Sequence, residues 1–266
     1  MDKYLYLQIS IKWGDKMKFE DMINKIINCD CYEMIKNIPD KSVDLIVTDP
    51  PYEIDTIGST KNKISQNFSN CNTQLKNICD GINEEILDEF MRIMKKPNIY
   101  IWCNKKQILQ YLKYFVEKKN CNFEILVWCK ENPTPLCGGN YLIDKEFCLY
   151  FRKGVKLNTK FETAKTYFVT KKNKKDKDLF EHPTIKPLEI IRNLIINSSN
   201  KDDIVLDCFC GSGTTCVACQ ETGRRFIGME INKEYYEIAN KRINGITAWG
   251  QASIFTDFDK LEKQNV

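Results

Sequence analysis

Four residues, Asp49, Pro50, Pro51 and Tyr52, follow directly on the apolar run VDLIVT. The Asp49 carboxylate and the Pro50 carbonyl offer two hydrogen-bond acceptors side by side, and the prolines fix φ so that the carbonyl is aimed in advance. Such a pair suits an amine with two N–H groups. Accepting from both draws the nitrogen toward a tetrahedral shape, with its lone pair free for an incoming electrophile. Tyr52 adds a flat face for the ring that carries the amine. Taken alone, the same four residues also fit an ordinary turn after a strand, because Pro-Pro is common in loops.

A second chemistry-bearing stretch, DIVLDCFCGSGTTCVACQETGRRFIGMEI, runs from Asp203 to Ile231. Its pattern predicts a strand over Ile204 to Leu206, a turn beginning at Asp207, a helix opened by Thr214 and Thr215 and ended by Gly223, and a second strand finishing in Glu230. Gly211 and Gly213 let the backbone pass close to a ligand. An acid at the end of the second strand can accept two hydrogen bonds from ribose hydroxyls. The third glycine of a dinucleotide fingerprint is absent, which disfavours a nicotinamide oxidoreductase. The unit fits a nucleoside without a pyrophosphate, and S-adenosylmethionine is the obvious candidate. A tight turn needed only for helix–sheet packing is the plain alternative.

These two corners need a scaffold, and the chain supplies one. Across 266 residues, seven apolar runs (NKIINC, VDLIVT, NIYIWC, FEILVWC, FCLYF, DIVLDC and RFIGME) alternate with helical patterns such as EEILDEFMRIM, KKQILQYLKYFVEK, PLEIIRNLIINSS and NKEYYEIANKRI. Strands alternating with helices predict an α/β fold with a largely parallel sheet covered on both faces. Two stretches break the alternation, residues 53–80 and 153–181, and loops of that length are usually functional or disordered. With 42% apolar residues the chain can build a core, and no apolar run is long enough to span a membrane. Residues 1–21 lack the layout of a secretion signal and read as an N-terminal extension.

Thirteen cysteines accompany a single histidine, His182. That ratio argues against a zinc site and for buried free thiols in a reducing cytoplasm. The net charge is only +4, yet eleven Lys or Arg fall between Lys145 and Lys177. A local basic excess suits a polyanion such as nucleic acid, or else a solvated lysine-rich loop.

Together, DPPY at 49–52 and DCFCGSGTT at 207–215 resemble the DNA amino-methyltransferases, enzymes that methylate an exocyclic nitrogen of a base. HPTIKP at 182–187, VWCKENPTP at 127–135 and GMEINKEYYEIANKRI at 228–243 look like further elements of that family. Because the catalytic corner precedes the cofactor corner, the order resembles the circularly permuted beta group. The resemblance implies a Rossmann-like fold with a mostly parallel seven-stranded sheet, its opening strand lying beside the one ending at Glu230. It also implies an inserted target-recognition region and frequently a homodimer. The expected layout is an N-terminal extension at 1–21, a catalytic half at 22–130, a target-recognition insertion at 131–181 and a cofactor half at 182–266.

The implied activity is methylation of N6 of adenine at a specific site in double-stranded DNA, with the base flipped out and S-adenosyl-L-methionine as donor. The enzyme would be either solitary or paired with a restriction endonuclease. Aspartate at the first position favours adenine, whereas serine there more often accompanies N4-cytosine enzymes. N4-cytosine methylation and a catalytically silent DNA-binding relative stand as alternatives. Asp49, Pro50, Pro51 and Tyr52 are the expected catalytic group. Around the cofactor, Asp207, Phe209, Gly211 and Gly213 shape the turn, Asp49 and Thr214 also line its site, Thr215 and Thr184 bond the methionine carboxylate, and Lys186 offsets its charge. Glu230, followed by Ile231, holds the ribose. Asp30 either accepts from the cofactor's adenine amine or caps a helix, and His182 is a positioning residue. For DNA, Lys130 and Asn132 are expected near backbone or base, and Lys171, Lys172, Lys174 and Lys175 on phosphates. Trp102 and Trp128 are expected in the core.

Overall fold

The computed structural model describes residues 17–52, 81–133, 141–171, 185–247 and 250–251. One eight-stranded sheet dominates, built from β1 (Lys25–Asn28), β2 (Leu45–Thr48), β3 (Asn98–Cys103), β4 (Asn122–Lys130), β5 (Lys145–Arg152), β6 (Tyr167–Thr170), β7 (Ile204–Asp207) and β8 (Arg225–Glu230). Their spatial order is β1-β8-β7-β2-β3-β5-β4-β6. Every pairing is parallel except the two made by β5. The opening strand lies where it was expected: Asn28 stands opposite Glu230 in the β1–β8 register.

Alternation along the central strands sends side chains into two cores, one on each face. Ile46 of β2, with Ile99 and Ile101 of β3, faces the helices α1 (Phe19–Met22), α2 (Cys31–Met34), α3 (Glu84–Ile93) and α4 (Ile108–Leu112). Leu45, Val47, Tyr100 and Trp102 face the helices α5 (Leu188–Ser198), α6 (Thr214–Glu221) and α7 (Lys233–Ile243). A strand buried on both faces must be apolar throughout, which is why LIVT and NIYIWC read as continuous runs rather than as alternating ones. Fully buried side chains such as Phe90 and Phe115 each contribute roughly 1.5–3 kcal/mol by leaving water. No helix among the described residues is long and apolar enough to cross a membrane.

All seven predicted runs are strands. The eighth, β6, lies inside the stretch expected as a loop at 153–181. It pairs in parallel with β4, and Trp128 Nε1 donates to Thr170 Oγ1 at 2.9 Å across that edge. Its four residues alternate between exposed and half-buried and are flanked by lysines, so no apolar run marks them. The stretch expected as an insertion, 131–181, also contributes to the sheet. It contains β5, which sits in the sheet between β3 and β4, and the boundary at 131 therefore cuts the sheet. The 53–80 loop, His182, Thr184, Lys172, Lys174 and Lys175 lie outside the described residues.

Candidate active site

Parallel strands carry their last residues to one edge of the sheet, and here those residues are acids or precede acids. β7 ends in Asp207, β8 in Glu230, β2 leads into Asp49, and β1 leads into Asp30. Between β7 and β2 the connections diverge. The chain leaves β7 through α6 on one face and leaves β2 through α3 on the other, which opens a crevice at the strand ends. A cavity of about 580 Å³ occupies this place. It is lined by Asp30, Asp49, Pro51, Asp207, Gly211 and Glu230, among others, so both predicted corners are walls of one site.

At the glycine corner the carboxylates are held by backbone. Glu230 Oε2 accepts from Gly211 N and Oε1 from Asn232 N, both at 2.8 Å, tying the glycine turn to the end of β8. Burial pushes the Glu230 carboxyl up, and those backbone N–H groups oppose it. Asp207 Oδ1 accepts from Thr48 Oγ1 at 3.0 Å and from Phe209 N at 3.2 Å. Burial pushes Asp207 up to about 7, against the hydrogen bonds from Thr215, Phe209 and Thr48. The cavity wall also includes Phe209, Thr214, Thr215 and Ile231, as expected.

Gly213, expected beside the cofactor, has a visible packing role. It caps α6 with φ +77°, and a Cβ there would stand 3.0 Å from Ala239 Cβ. It permits close packing of α6 against α7, and it is not part of the cavity lining. Gly228 on β8 serves a similar end, since a Cβ there would meet Cys216 Sγ at 2.8 Å. Asp30 caps α2, with Oδ1 accepting from Tyr32 N at 2.9 Å, while also lining the cavity.

At the other corner the acid is held by side chains. Asp49 Oδ2 is ion-paired with Lys186 Nζ, and Asp49 Oδ1 is buried without a hydrogen-bond partner among the described residues. Lys186 Nζ also reaches Tyr52 Oη at 3.3 Å and Glu146 Oε2 at 3.0 Å, and lies 5.0 Å from the Trp102 ring centroid. Burial opposes the Lys186 charge, but Asp49 and Glu146 together hold its affinity for a proton well above the ordinary lysine range. Tyr52 is kept a neutral phenol by burial and by the adjacent Asp49. Gln107 Nε2 donates to the Pro51 carbonyl at 3.4 Å, bracing the turn from below. Pro50 is buried beside Asp49 without lining the cavity.

Several residues escaped the sequence reading. Glu146 shares a face of β5 with Cys148 and Tyr150, a period-two signal that places it over the same core. Arg242, three residues beyond Ala239 on α7, is buried and donates to Thr214 Oγ1 at 2.7 Å and to Ser212 Oγ at 3.2 Å, stiffening the glycine turn. Trp102 is buried as expected, yet it also lines the cavity. Lys130 is the last residue of β4 and pairs with Glu146 at 2.5 Å, over the Trp128 ring. Asn132 and Lys171 are exposed.

The ten described cysteines are all free. Those in the cavity wall are protonated by burial (Cys29 is pushed up to about 12), so they act as apolar surface rather than as nucleophiles. Among the described residues no cluster of His, Cys, Asp or Glu is arranged to hold a metal ion.

Comparison with known proteins gives a consistent picture. A family model described as a DNA methylase, for N6 and N4 enzymes, matches residues 43–241. Type II methyltransferase M2.MboI of Moraxella bovis is 31% identical over 253 residues, spanning 86% of this chain and 90% of that protein. Type II methyltransferase M.HinfI of Haemophilus influenzae is 28% identical over 257 residues, spanning 87% of this chain and 71% of the other. The crystal structure of the M1.HpyAVI–SAM complex superposes with a TM-score of 0.59 at 28% identity, covering 82% of this chain and 98% of that one. The cytosine-N4-specific PvuII DNA methyltransferase shares the fold, with a TM-score of 0.63 at 14% identity and 89% of each chain covered.

Proposed function

Because the chain belongs to the N6/N4 DNA methylase family, we propose that it transfers a methyl group from S-adenosyl-L-methionine to N6 of adenine at a specific site in double-stranded DNA. The observation that carries this reading is the shared cavity, with a nucleoside-type acid, Glu230, on one side and Asp49, with an unpartnered oxygen, on the other.

The residues present fit the cofactor. About 580 Å³ lies within the range of small-molecule sites, with Phe209 and Ile231 as apolar wall. Glu230 is pre-oriented by two backbone N–H groups, which leaves each oxygen a further lone pair for a ribose hydroxyl. Thr214 and Thr215 lie by the glycine turn for the carboxylate end. When bound, S-adenosylmethionine supplies a methyl group on a sulfonium sulfur, so the new N–C bond forms as the S–C bond breaks.

The protein's own part is positioning. Asp49 Oδ1 accepts one N–H of the adenine amine and the Pro50 carbonyl accepts the other, so the nitrogen lone pair is exposed toward the methyl group. Tyr52 stacks the extruded ring, and Pro50 and Pro51 keep the carbonyl aimed without reorganisation. The amine proton is lost after transfer, because the methylated ammonium is a strong acid. Basic residues including Lys171 contact the DNA backbone. We place the protein in the cytoplasm, in keeping with its free thiols.

The deciding experiment incubates the purified chain with DNA and isotope-labelled S-adenosylmethionine, then digests the product for mass spectrometry. Labelled N6-methyladenine, absent with Asp49→Ala, is the expected result. Labelled N4-methylcytosine would overturn the base assignment, and unlabelled DNA the activity.

A further inference from the structure

β5 is the one strand that runs against its neighbours, so its first residues lie where β3 and β4 finish. Glu146, its second residue, is brought by this reversal to the catalytic edge, directly across from Trp128 in the β4 register. Period-two alternation then puts Trp102 on β3, Trp128 and Lys130 on β4, and Glu146 on β5 over the same face, the one covered by α5. Lys186 enters from the turn just before α5. Four charged groups therefore meet in a row, Lys130–Glu146–Lys186–Asp49. The side chains of Lys130 and Lys186 are only 10% and 11% exposed.

The row is balanced, two ammonium groups against two carboxylates, and each interior member has a partner on either side. Lys186 donates to Asp49 Oδ2 and to Tyr52 Oη, and its ammonium is ion-paired with Glu146 as well. These partners are protein groups, whereas the partner expected from sequence is the cofactor carboxylate. Asp49 gains an asymmetry from this: Oδ2 is occupied and Oδ1 is not. A carboxylate free to rotate would present either oxygen, whereas one pinned at Oδ2 presents Oδ1 in a fixed direction. Glu146 does not itself line the cavity; it reaches the wall through its ion pair with Lys186, so its influence passes through Lys186.

Resting on the reading of Asp49 as acceptor for the target amine, we propose that Lys130, Glu146 and Lys186 form a positioning relay that pins Asp49 by one oxygen and leaves the other to receive the base. Lys186 is the positioning residue in contact with Asp49, Glu146 fixes where Lys186 sits, and Lys130 fixes Glu146. The target amine is then held by a carboxylate whose orientation is set before the base arrives, which is where preorganisation lowers the barrier. The relay serves kcat and leaves cofactor affinity alone.

The test compares wild type with Glu146→Gln, Lys186→Met and Lys186→Arg in steady-state methylation, with S-adenosylmethionine affinity measured separately by calorimetry and folding checked by thermal melting. Glu146→Gln is expected to lower kcat roughly 10- to 100-fold while the cofactor Kd stays within about twofold. Lys186→Met should lower kcat further, and Lys186→Arg should recover part of the loss because it keeps a cation beside Asp49. An unchanged kcat in Glu146→Gln and Lys186→Met would overturn the relay. So would a loss confined to cofactor Kd, which would return Lys186 to the cofactor carboxylate. If Lys186→Met does not fold, Glu146→Gln and Lys186→Arg decide alone. A wild-type protein that methylates no amine would instead remove the reading on which the relay rests.

Discussion

Two acids at opposite walls of the cavity are held in contrasting ways. Glu230 is fixed by backbone N–H groups from Gly211 and Asn232, on the turns that immediately flank the cavity. Asp49 is fixed by the side chain of Lys186, 137 positions away, and keeps one oxygen without a hydrogen-bond partner among the described residues. Backbone clamps are part of the fold and cost little further ordering, so Glu230 behaves as scaffold that happens to face a ligand. A side-chain clamp is separable from the fold and can be tuned. Under the proposed function, the difference teaches that binding is built into the main chain, whereas the reacting geometry is set by an ionic contact between distant segments. Disturbing the first wall should therefore register in stability and affinity, and disturbing the second in rate.

The widest test of that contrast is Asp49→Ala. It should cut the methylation rate on the order of 10²–10³-fold while S-adenosylmethionine still binds, as read by single-turnover assay and calorimetry. Equal losses in both readouts would erase the distinction. Next comes the pH dependence at Asp207. Its folded carboxyl is raised to about 7 from an ordinary value of 3.8, so between those values the folded protein holds a proton that the unfolded chain has released. Stability should then fall as pH rises from about 4 to about 7 and level off above, by at most about 4 kcal/mol. Asp207→Asn should remove that slope in denaturant melts across the range. Glu230→Ala should weaken cofactor binding about 10- to 100-fold, through the loss of a pre-oriented charged acceptor, with a smaller effect on kcat at saturating cofactor. The smallest effect is Gly213→Ala. A positive φ of +77° and the approach of Ala239 make it destabilising by about 1–2 kcal/mol, seen as a lower Tm with nearly unchanged rate at a permissive temperature.

The same contrast explains what could be read from the sequence. The glycine corner is local: strand, turn, helix and strand occupy Ile204 to Glu230, and apolar periodicity with turn chemistry was enough to place each part. The central strands β2 and β3 carried the same kind of signal, because burial on both faces leaves an apolar run. β6 has half-exposed alternation and lysine flanks, so its pairing with β4 is decided by tertiary context. Lys186 was singled out by its motif, yet its partner depends on where β5 starts, and strand direction in a sheet is not written in any one segment. Glu146 was legible in principle through its spacing from Cys148 and Tyr150, but only once β5 is known to run antiparallel does that spacing point at the catalytic edge.

The pairing of β1 with β8 joins segments 202 positions apart, from Asn28 to Glu230. On a ribosome adding about 5–20 residues per second, β1 emerges roughly 10–40 s before the strand it must zip onto. During that interval the wall bearing Cys29 and Asp30 has no partner, and the donor pocket is missing a side. A nascent chain therefore lacks a closed cavity until translation has passed Glu230, and the earlier wall waits on the later one.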